Sequence, residues 1–424
     1  MKVAFYLKSK SFRDVSISNL EDGNPGIGGS EYACLLVVKE LNESSSIRST
    51  IYFDKRAKLT GFSCEYAVSL QQALSHARNC TLDYFVVNYA DLANVDFSNL
   101  NSGNSPQLII WCHNFISLED AKLFAESSIV SYVICVGREQ KDLLIDHKLS
   151  KKLCYIYNPI PKLKPICLGA KYRRNSVCYI GSIIPEKGLH ILTSCWKNIV
   201  REVPDAELHV IGSGDLYGDN VTLGPFNIAE CRYERLLLEP VMENGLLMKG
   251  VHFHGILGKE KNEILNFSKV GCPNPSGKTE TFGYTAVEMQ LNGCYVITSK
   301  CPGYLDTVDI EGGALLSSKK LLSSEIVRAL RTKKSVSNEV ANRLLNKFSI
   351  SMIVKDWEEL FVNGSLYIEK QRLEPLVNSE YKSKWMKFKL AQLKRRIPFL
   401  NVIPSVLEFR YFLFRAISVF GLRR

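Results

Sequence analysis

SVCYIGSIIPEKGLHILTSCWKNIVREVPDAELHVIGSG, residues 176–214, places a helical stretch between two short apolar runs. SVCYIGS (176–182) and AELHVIGSG (206–214) are rich in apolar and β-branched residues and run into glycine. HILTSCWKNIVREV (190–203) spaces its apolar residues at helical intervals. Strands that are apolar without alternation belong in a sheet covered on both faces, and a helical crossover makes them parallel. The stretch therefore predicts one strand–helix–strand unit of an α/β domain.

The pattern repeats on both sides. Toward the N-terminus, KVAFYL (2–7), YFVVNY (84–89), QLIIWC (107–112) and SYVICVG (131–137) read as strands. In GNPGIGGSEYACLLVVKELN (23–42) a glycine turn opens a helix from about Ser30. Toward the C-terminus, VHFHG (251–255) and CYVITS (294–299) read as strands, and KNEILNFSKV (261–270) and SSEIVRALRT (323–332) as helices. YNPIPKLKP (157–165), with Pro159, Pro161 and Pro165, reads as a linker. At 424 residues the chain exceeds one ordinary core. The division expected is residues 1–160, 161–365 and a tail, 366–424.

The composition is that of a globular protein, with 46% hydrophobic and 23% charged residues. Its 13 cysteines show no C-x-x-C spacing, which signals neither a zinc site nor a disulfide framework and fits a reducing, cytoplasmic compartment. No signal peptide or spanning helix is expected. The net charge of +11 sits mostly at the end: residues 369–424 carry 13 Lys and Arg against 4 Asp and Glu. SEYKSKWMKFKLAQLKRR (379–396) interleaves basic and aromatic residues, and SVLEFRYFLFRAISVFGLRR (405–424) follows as an apolar helix pattern. Three readings compete: a nucleic-acid patch, which nothing else in the chain supports, a helix packed on the first domain, and an element lying on an anionic membrane surface. The last is favoured, which expects a peripheral location on the cytoplasmic face of a membrane.

NPSGKTETFGYTAVE (274–288) contains Gly277-Lys278-Thr279, which suggests a phosphate loop. That loop needs four residues between its glycines and backbone N–H groups to wrap the phosphates. Here five separate Gly271 from Gly277, and Pro273 and Pro275 have no N–H. The phosphate-loop reading fails. What remains is Glu280 ahead of a helix start near Phe282 or Gly283, with Glu288 inside the helix. Such a start suits a phosphate, although capping acids are common there too.

Taken with YIGSIIPEKGLHIL (179–192), VPDAELHVIGSGD (203–215), VHFHGIL (251–257), WCHN (111–114) and GNPGIGGSEY (23–32), the two-glutamate stretch resembles the retaining GT-B-fold glycosyltransferases of family 4, the group 1 type. The resemblance spans roughly residues 1–360 and is strongest over 177–310. It implies two Rossmann-like α/β domains facing a central cleft, with a basic helical tail added here. It also implies transfer of a sugar from a nucleotide-diphosphate donor to a glycan or lipid-linked acceptor; the basic tail, rather than the motifs, extends this expectation to cell-surface polysaccharide of the O-antigen, lipopolysaccharide or capsule type.

By the same resemblance, His113, Lys187 and Glu280 form the catalytic set. Lys187 neutralises the diphosphate, Glu280 accepts from sugar hydroxyls, and His113 lies by the transferred sugar. Gly28, Gly29, Ser182, Phe282, Gly283 and Glu288 complete the donor site, with Glu288 on the ribose. Ser182 stands where the family commonly has an arginine. The chain contains no D-x-D pair, so a metal-independent site with no cofactor is expected. An epimerase on the same fold, or a non-catalytic sugar-nucleotide-binding protein, are the alternatives.

Overall fold

The computed structural model describes all residues except 9–19, 55–60, 94, 96, 98–105, 162–172, 215–221, 333–334 and 420–424. The first sheet contains β1 (Lys2–Leu7), β2 (Arg48–Phe53), β3 (Cys64–Tyr66), β4 (Tyr84–Asn88), β5 (Gln107–Cys112), β6 (Val130–Cys135) and β7 (Leu153–Tyr155). All neighbours are parallel, in the order β3-β2-β1-β4-β5-β6-β7. The second domain begins with β8 (Arg174–Ile180) and β9 (Glu207–Ile211). A small hairpin, β10 (Met242–Glu243) and β11 (Leu246–Leu247), precedes β12 (Val251–Phe253), β13 (Ser268–Gly271), β14 (Tyr295–Ser299) and β15 (Gly313–Leu316). Its main sheet is also wholly parallel, ordered β12-β9-β8-β13-β14-β15. Both orders reverse direction beside their first strand, which opens a crevice at the strands' carboxyl ends.

Burial explains these elements. In β1 and β5 every residue but the first is buried, as expected of strands covered on both faces. Two expectations need correction. The stretch 190–203 forms two helices, Leu189–Ser194 and Trp196–Glu202, which meet at Cys195. KNEILNFSKV is helical only to Phe267; Ser268–Gly271 is the strand at the centre of the second sheet, pairing with β8 and β14. Helix and buried strand are hard to separate in so short an apolar run.

The chain crosses between domains twice, and the crossings touch. Ile160 N–H donates to the Phe348 carbonyl at 2.8 Å, and Ile350 N–H donates to the Ile160 carbonyl at 3.1 Å. The remainder of the 157–165 linker, from 162, lies outside the described residues. The helix Ile350–Arg372 then packs on the first sheet. Its fully buried Trp357 lies 5.7 Å from the Phe5 ring and 4.8 Å from the Trp111 ring. Residues 350–365, expected in the second domain, thus complete the first domain's core. The helix runs across that sheet, with Phe361 5.7 Å from the Tyr84 ring and the Gln371 amide donating to the Tyr155 carbonyl at 2.8 Å.

The tail is also fixed to the first domain. On the helix Lys384–Arg396, Lys384, Lys387, Ala391 and Lys394 are buried, at a spacing that puts them on one face. Lys384 Nζ reaches Glu139 Oε1 at 2.7 Å and Asp142 Oδ2 at 2.8 Å. Lys387 and Lys394 donate to the carbonyls of Leu143 and Asp146, at 2.8 and 2.9 Å. These lysines hold the tail in place. Among the described residues, no helix is long and apolar enough to cross a membrane. Replacing Lys384 with alanine would leave Glu139 with the Asn378 amide and Asp142 with the longer Lys141 and Arg138 contacts, at 3.4 and 3.9 Å, and the expected cost is about 3 kcal/mol. A lowered midpoint in chemical denaturation, with limited proteolysis between 373 and 384, is the readout.

Candidate active site

A cleft of about 610 Å³ lies between the domains and is lined by both. From the first domain come the loop after β1, the glycine turn before the helix Gly29–Ser44, and the ends of β4 and β5. From the second come the ends of β8 and β9, Lys187, and residues 279–288.

The glycine turn is built by Asn24. Its Oδ1 accepts from the N–H groups of Gly26 and Ile27, both at 2.9 Å, and its side-chain amide donates to the Ile27 carbonyl. Gly28 is the N-cap of the following helix, with no side-chain cap bond. A Cβ at Gly28 would strike the Glu31 carboxylate, and one at Gly29 would press on the Tyr284 ring. Gly29 lines the cleft; Gly28, expected there, is not among its lining residues. The backbone therefore comes close to whatever fills the space.

Across the cleft, residues 274–283 form a loop rather than a phosphate cradle. Asn274, Gly277, Thr279 and Gly283 all have positive φ. Thr279, at φ +55°, is β-branched, so its conformation is strained and must be held by the surroundings. Gly283, at φ +89°, caps the helix Tyr284–Leu291, and a Cβ there would meet the Tyr304 ring at 2.6 Å. Gly283, Tyr284 and Thr285 line the cleft, so the helix start and its N–H groups face it. The Phe282 ring is buried between the domains against Tyr157 and Phe348. It supplies packing, and only its backbone is available to a ligand.

Lys187, at the end of the short 3-10 helix Pro185–Lys187, reaches Glu280 Oε2 at 2.9 Å. The Asn274 side-chain amide donates to the same oxygen at 3.2 Å. Ser182 is buried and lines the cleft, and its carbonyl accepts from the Tyr179 hydroxyl at 3.0 Å. Glu288 pairs with Lys261 at 2.9 Å, and Lys261 also lies 3.4 Å from the Asn24 carbonyl of the glycine turn. Lys8 pairs with Asp91 at 3.1 Å on the first-domain wall. The cleft therefore contains three lysine–carboxylate pairs, two of them involving the anticipated glutamates.

His113 follows β5, with its ring 4.7 Å from that of Trp111. Burial pushes its pKa down to about 3, with the Asn158 side chain opposing the shift. The imidazole is neutral near pH 7, and neither ring nitrogen is in hydrogen-bond geometry among the described residues. Its carbonyl accepts from the Thr281 hydroxyl at 2.6 Å, which ties it to the residue after Glu280. His113, Lys187, Ser182, Glu280, Phe282, Gly283, Glu288 and Gly29 all line one cavity. Lys261, Asn24, Asn274, Thr281, Lys8 and Asp91 were not anticipated. Lys261 is a basic residue amid polar ones, and its partner is 27 positions away. Among the described residues, no cluster of His, Cys, Asp and Glu could hold a metal ion.

Residues 174–332 match the family model described as "Glycosyl transferases group 1". The second domain is a glycosyl transferase group 1 domain. No curated protein matches the chain significantly. Among solved structures, sucrose-phosphate synthase from Thermosynechococcus elongatus is 16% identical with a TM-score of 0.63, covering 85% of this chain and 98% of that one. HepE from Anabaena, in complex with UDP and glucose, is 15% identical, with a TM-score of 0.56 over 85% and 98%. The lipopolysaccharide outer core galactosyltransferase WaaB is 15% identical, with a TM-score of 0.55 over 87% and 100%. At these identities the likeness shows the fold, which is GT-B, and the group 1 domain on it makes the chain a glycosyltransferase.

Two outcomes test the cleft. His113 takes up a proton on unfolding at any pH between its ordinary value of 6.5 and about 3, so the stability it confers is full above 6.5 and is lost as pH falls toward 3. Its ring resonances in NMR should therefore stay those of neutral imidazole down to pH 4. Lys261→Ala leaves the Glu288 charge without its lysine in the cleft, and the stability read by chemical denaturation is expected to fall by about 3 kcal/mol.

Proposed function

We propose that this glycosyltransferase takes its sugar from a nucleotide-diphosphate donor and transfers it, with retention at the anomeric carbon, to a glycan or lipid-linked acceptor. The observation that carries this reading is the Lys187–Glu280 pair beside an open helix N-terminus. A cation and the helix N–H groups suit a diphosphate, and a carboxylate next to them suits the hydroxyls of the attached sugar. HepE, which shares the fold, was captured with UDP and with UDP-glucose. WaaB, named for lipopolysaccharide, supports an acceptor in cell-surface polysaccharide of the O-antigen or capsule type.

In the proposed reaction the bond from the anomeric carbon to the β-phosphate oxygen breaks while an acceptor oxygen bonds to the same face. The acceptor proton passes to the departing phosphate. Charge grows on that phosphate, and Lys187 with the N–H groups near Gly29, Phe282 and Gly283 stabilises it. Ser182 adds no charge, so the backbone carries more of this load. Glu288, positioned by Lys261, accepts from the ribose hydroxyls. His113, neutral, donates or accepts one hydrogen bond at the transferred sugar. No metal or cofactor enters this scheme.

The tail is proposed to rest on an anionic membrane surface at the cytoplasmic face. Three of its lysines are committed to the first domain, so the reading leans on exposed apolar side chains as well as on the remaining charge. Trp385, Phe399, Val402, Phe409 and Phe414 are all more than half exposed.

Glu280→Ala should reduce transfer by about 10²-fold or more while leaving the fold intact. The assay is nucleotide-diphosphate release from a panel of nucleotide sugars, with and without membrane extract as acceptor source. Undiminished transfer by the variant would show that the site is assigned wrongly.

A further inference from the structure

A second cavity, of about 240 Å³, lies at the junction of tail and first domain. Its walls are the segment before β7, the last turn of the helix Ile350–Arg372, and the end of the helix Lys384–Arg396. The segment 145–151 enters β7 at its amino end, so this cavity lies at the opposite end of the first sheet from the cleft. It is smaller than pockets that enclose drug-sized ligands, and too small for a sugar nucleotide.

Its charge is one-sided. Lys148, Lys151, Arg372, Lys394 and Arg395 all line it. The carboxylate in the wall, Asp146, is engaged on one oxygen by the Val406 N–H at 2.6 Å, and its pKa is raised by burial. His147 is held toward the neutral form by burial, with Glu408 at 3.9 Å opposing. Glu369 pairs with Arg372 but is nearly half exposed. Burial and the like charge of Arg372 both press the Arg395 guanidinium toward losing its proton. Positive charge is thus concentrated in a concave, partly desolvated site, the arrangement that binds a compact oxyanion.

The rim bears on the source of that anion. Pro398 and Asn401 line the cavity, and between and beside them Phe399 and Val402 are 73% and 82% exposed. Apolar side chains next to a basic pocket match the boundary between acyl chains and headgroups.

We propose that this cavity is a phosphate-binding site that takes the phosphoryl oxyanion of a phosphomonoester or phosphodiester, with an anionic lipid headgroup and a free phosphorylated compound as its two possible sources. The site deepens the membrane reading of the tail, yet it is separate from the cleft. It would anchor the first domain at a fixed orientation, because Lys394 is at once a wall of the cavity and a tie to the Asp146 carbonyl.

The test uses the full chain. Glycerol 3-phosphate and inorganic phosphate are titrated by NMR, and flotation is measured with phosphatidylcholine vesicles with and without phosphatidylglycerol. Lys148→Ala/Lys151→Ala changes only exposed residues of the rim. Lys389→Ala/Arg396→Ala removes the same charge from exposed positions outside the cavity. Expected is saturable binding that the first pair weakens on the order of tenfold and the second leaves close to wild type. Binding of the soluble phosphates alone assigns a free metabolite, and pocket-sensitive flotation assigns a headgroup; either upholds the site. Absence of binding in both arms, or equal loss in both double variants, overturns it. Nucleotide-diphosphate release is followed separately without vesicles, so failure of the transfer reading shows there and leaves phosphate binding untouched.

Discussion

The hydrogen bond from the Thr281 hydroxyl to the His113 carbonyl joins the first domain to the 274–283 loop in the cleft. It is one of several contacts that bring the histidine after β5 beside the glutamate before the helix Tyr284–Leu291, with the Tyr284 hydroxyl donating to the Pro159 carbonyl at 3.1 Å. Asp306 reinforces it nearby. Its carboxylate is fully buried and accepts from the Glu139 N–H at 2.9 Å and the Tyr157 hydroxyl at 3.2 Å. Burial pushes its pKa up to about 7. Gly137, beside Glu139, has no room for a side chain because Asp306 and the Thr281 carbonyl fill it. The domain contact is therefore close packing of backbone and polar groups, and a modest change in hinge angle would disrupt several bonds together.

The paired lysines fit that close packing. An isolated carboxylate in a partly buried cleft costs free energy, and a neighbouring lysine offsets it. Lys187 and Lys261 thus do two jobs: they offset the cleft's carboxylate charge, and they place a positive group beside each acid. Under the proposed function, a diphosphate at Lys187 would compete with Glu280 for the ammonium and free that carboxylate for sugar hydroxyls.

Much of this was legible in the sequence where physics acts locally. β1, β5 and β14 coincide with the mostly apolar runs, and their alternation with helices predicts parallel sheets but not the strand order. β2 (RSTIYF) was not read, because its first three residues are polar or charged and only the end of the run is apolar. β13 was absorbed into a helix for want of a turn signal between Phe267 and Ser268. The resemblance brought His113, Lys187, Glu280 and Glu288 together, but not Lys261, whose role exists only because the fold carries residue 261 to residue 288. Local pattern registers residue type, and long-range ion pairs leave no trace in it.

The tail shows the same limit from the other side. Basic residues interleaved with aromatics suggested a face turned to lipid, yet at helical spacing the face turned inward is Lys384, Lys387, Ala391 and Lys394. A lysine can be buried where its ammonium meets carboxylates or carbonyls while its methylenes pack. The segment 139–146 offers both, in Glu139, Asp142 and the carbonyls of Leu143 and Asp146. Hydrophobic periodicity assigns lysine to solvent and therefore puts this helix the wrong way round. With the lysine stripe inward, Trp385, Met386 and Leu393 of the helix are left outside. The apolar surface that suggested a membrane is thus a consequence of how charge anchors the tail.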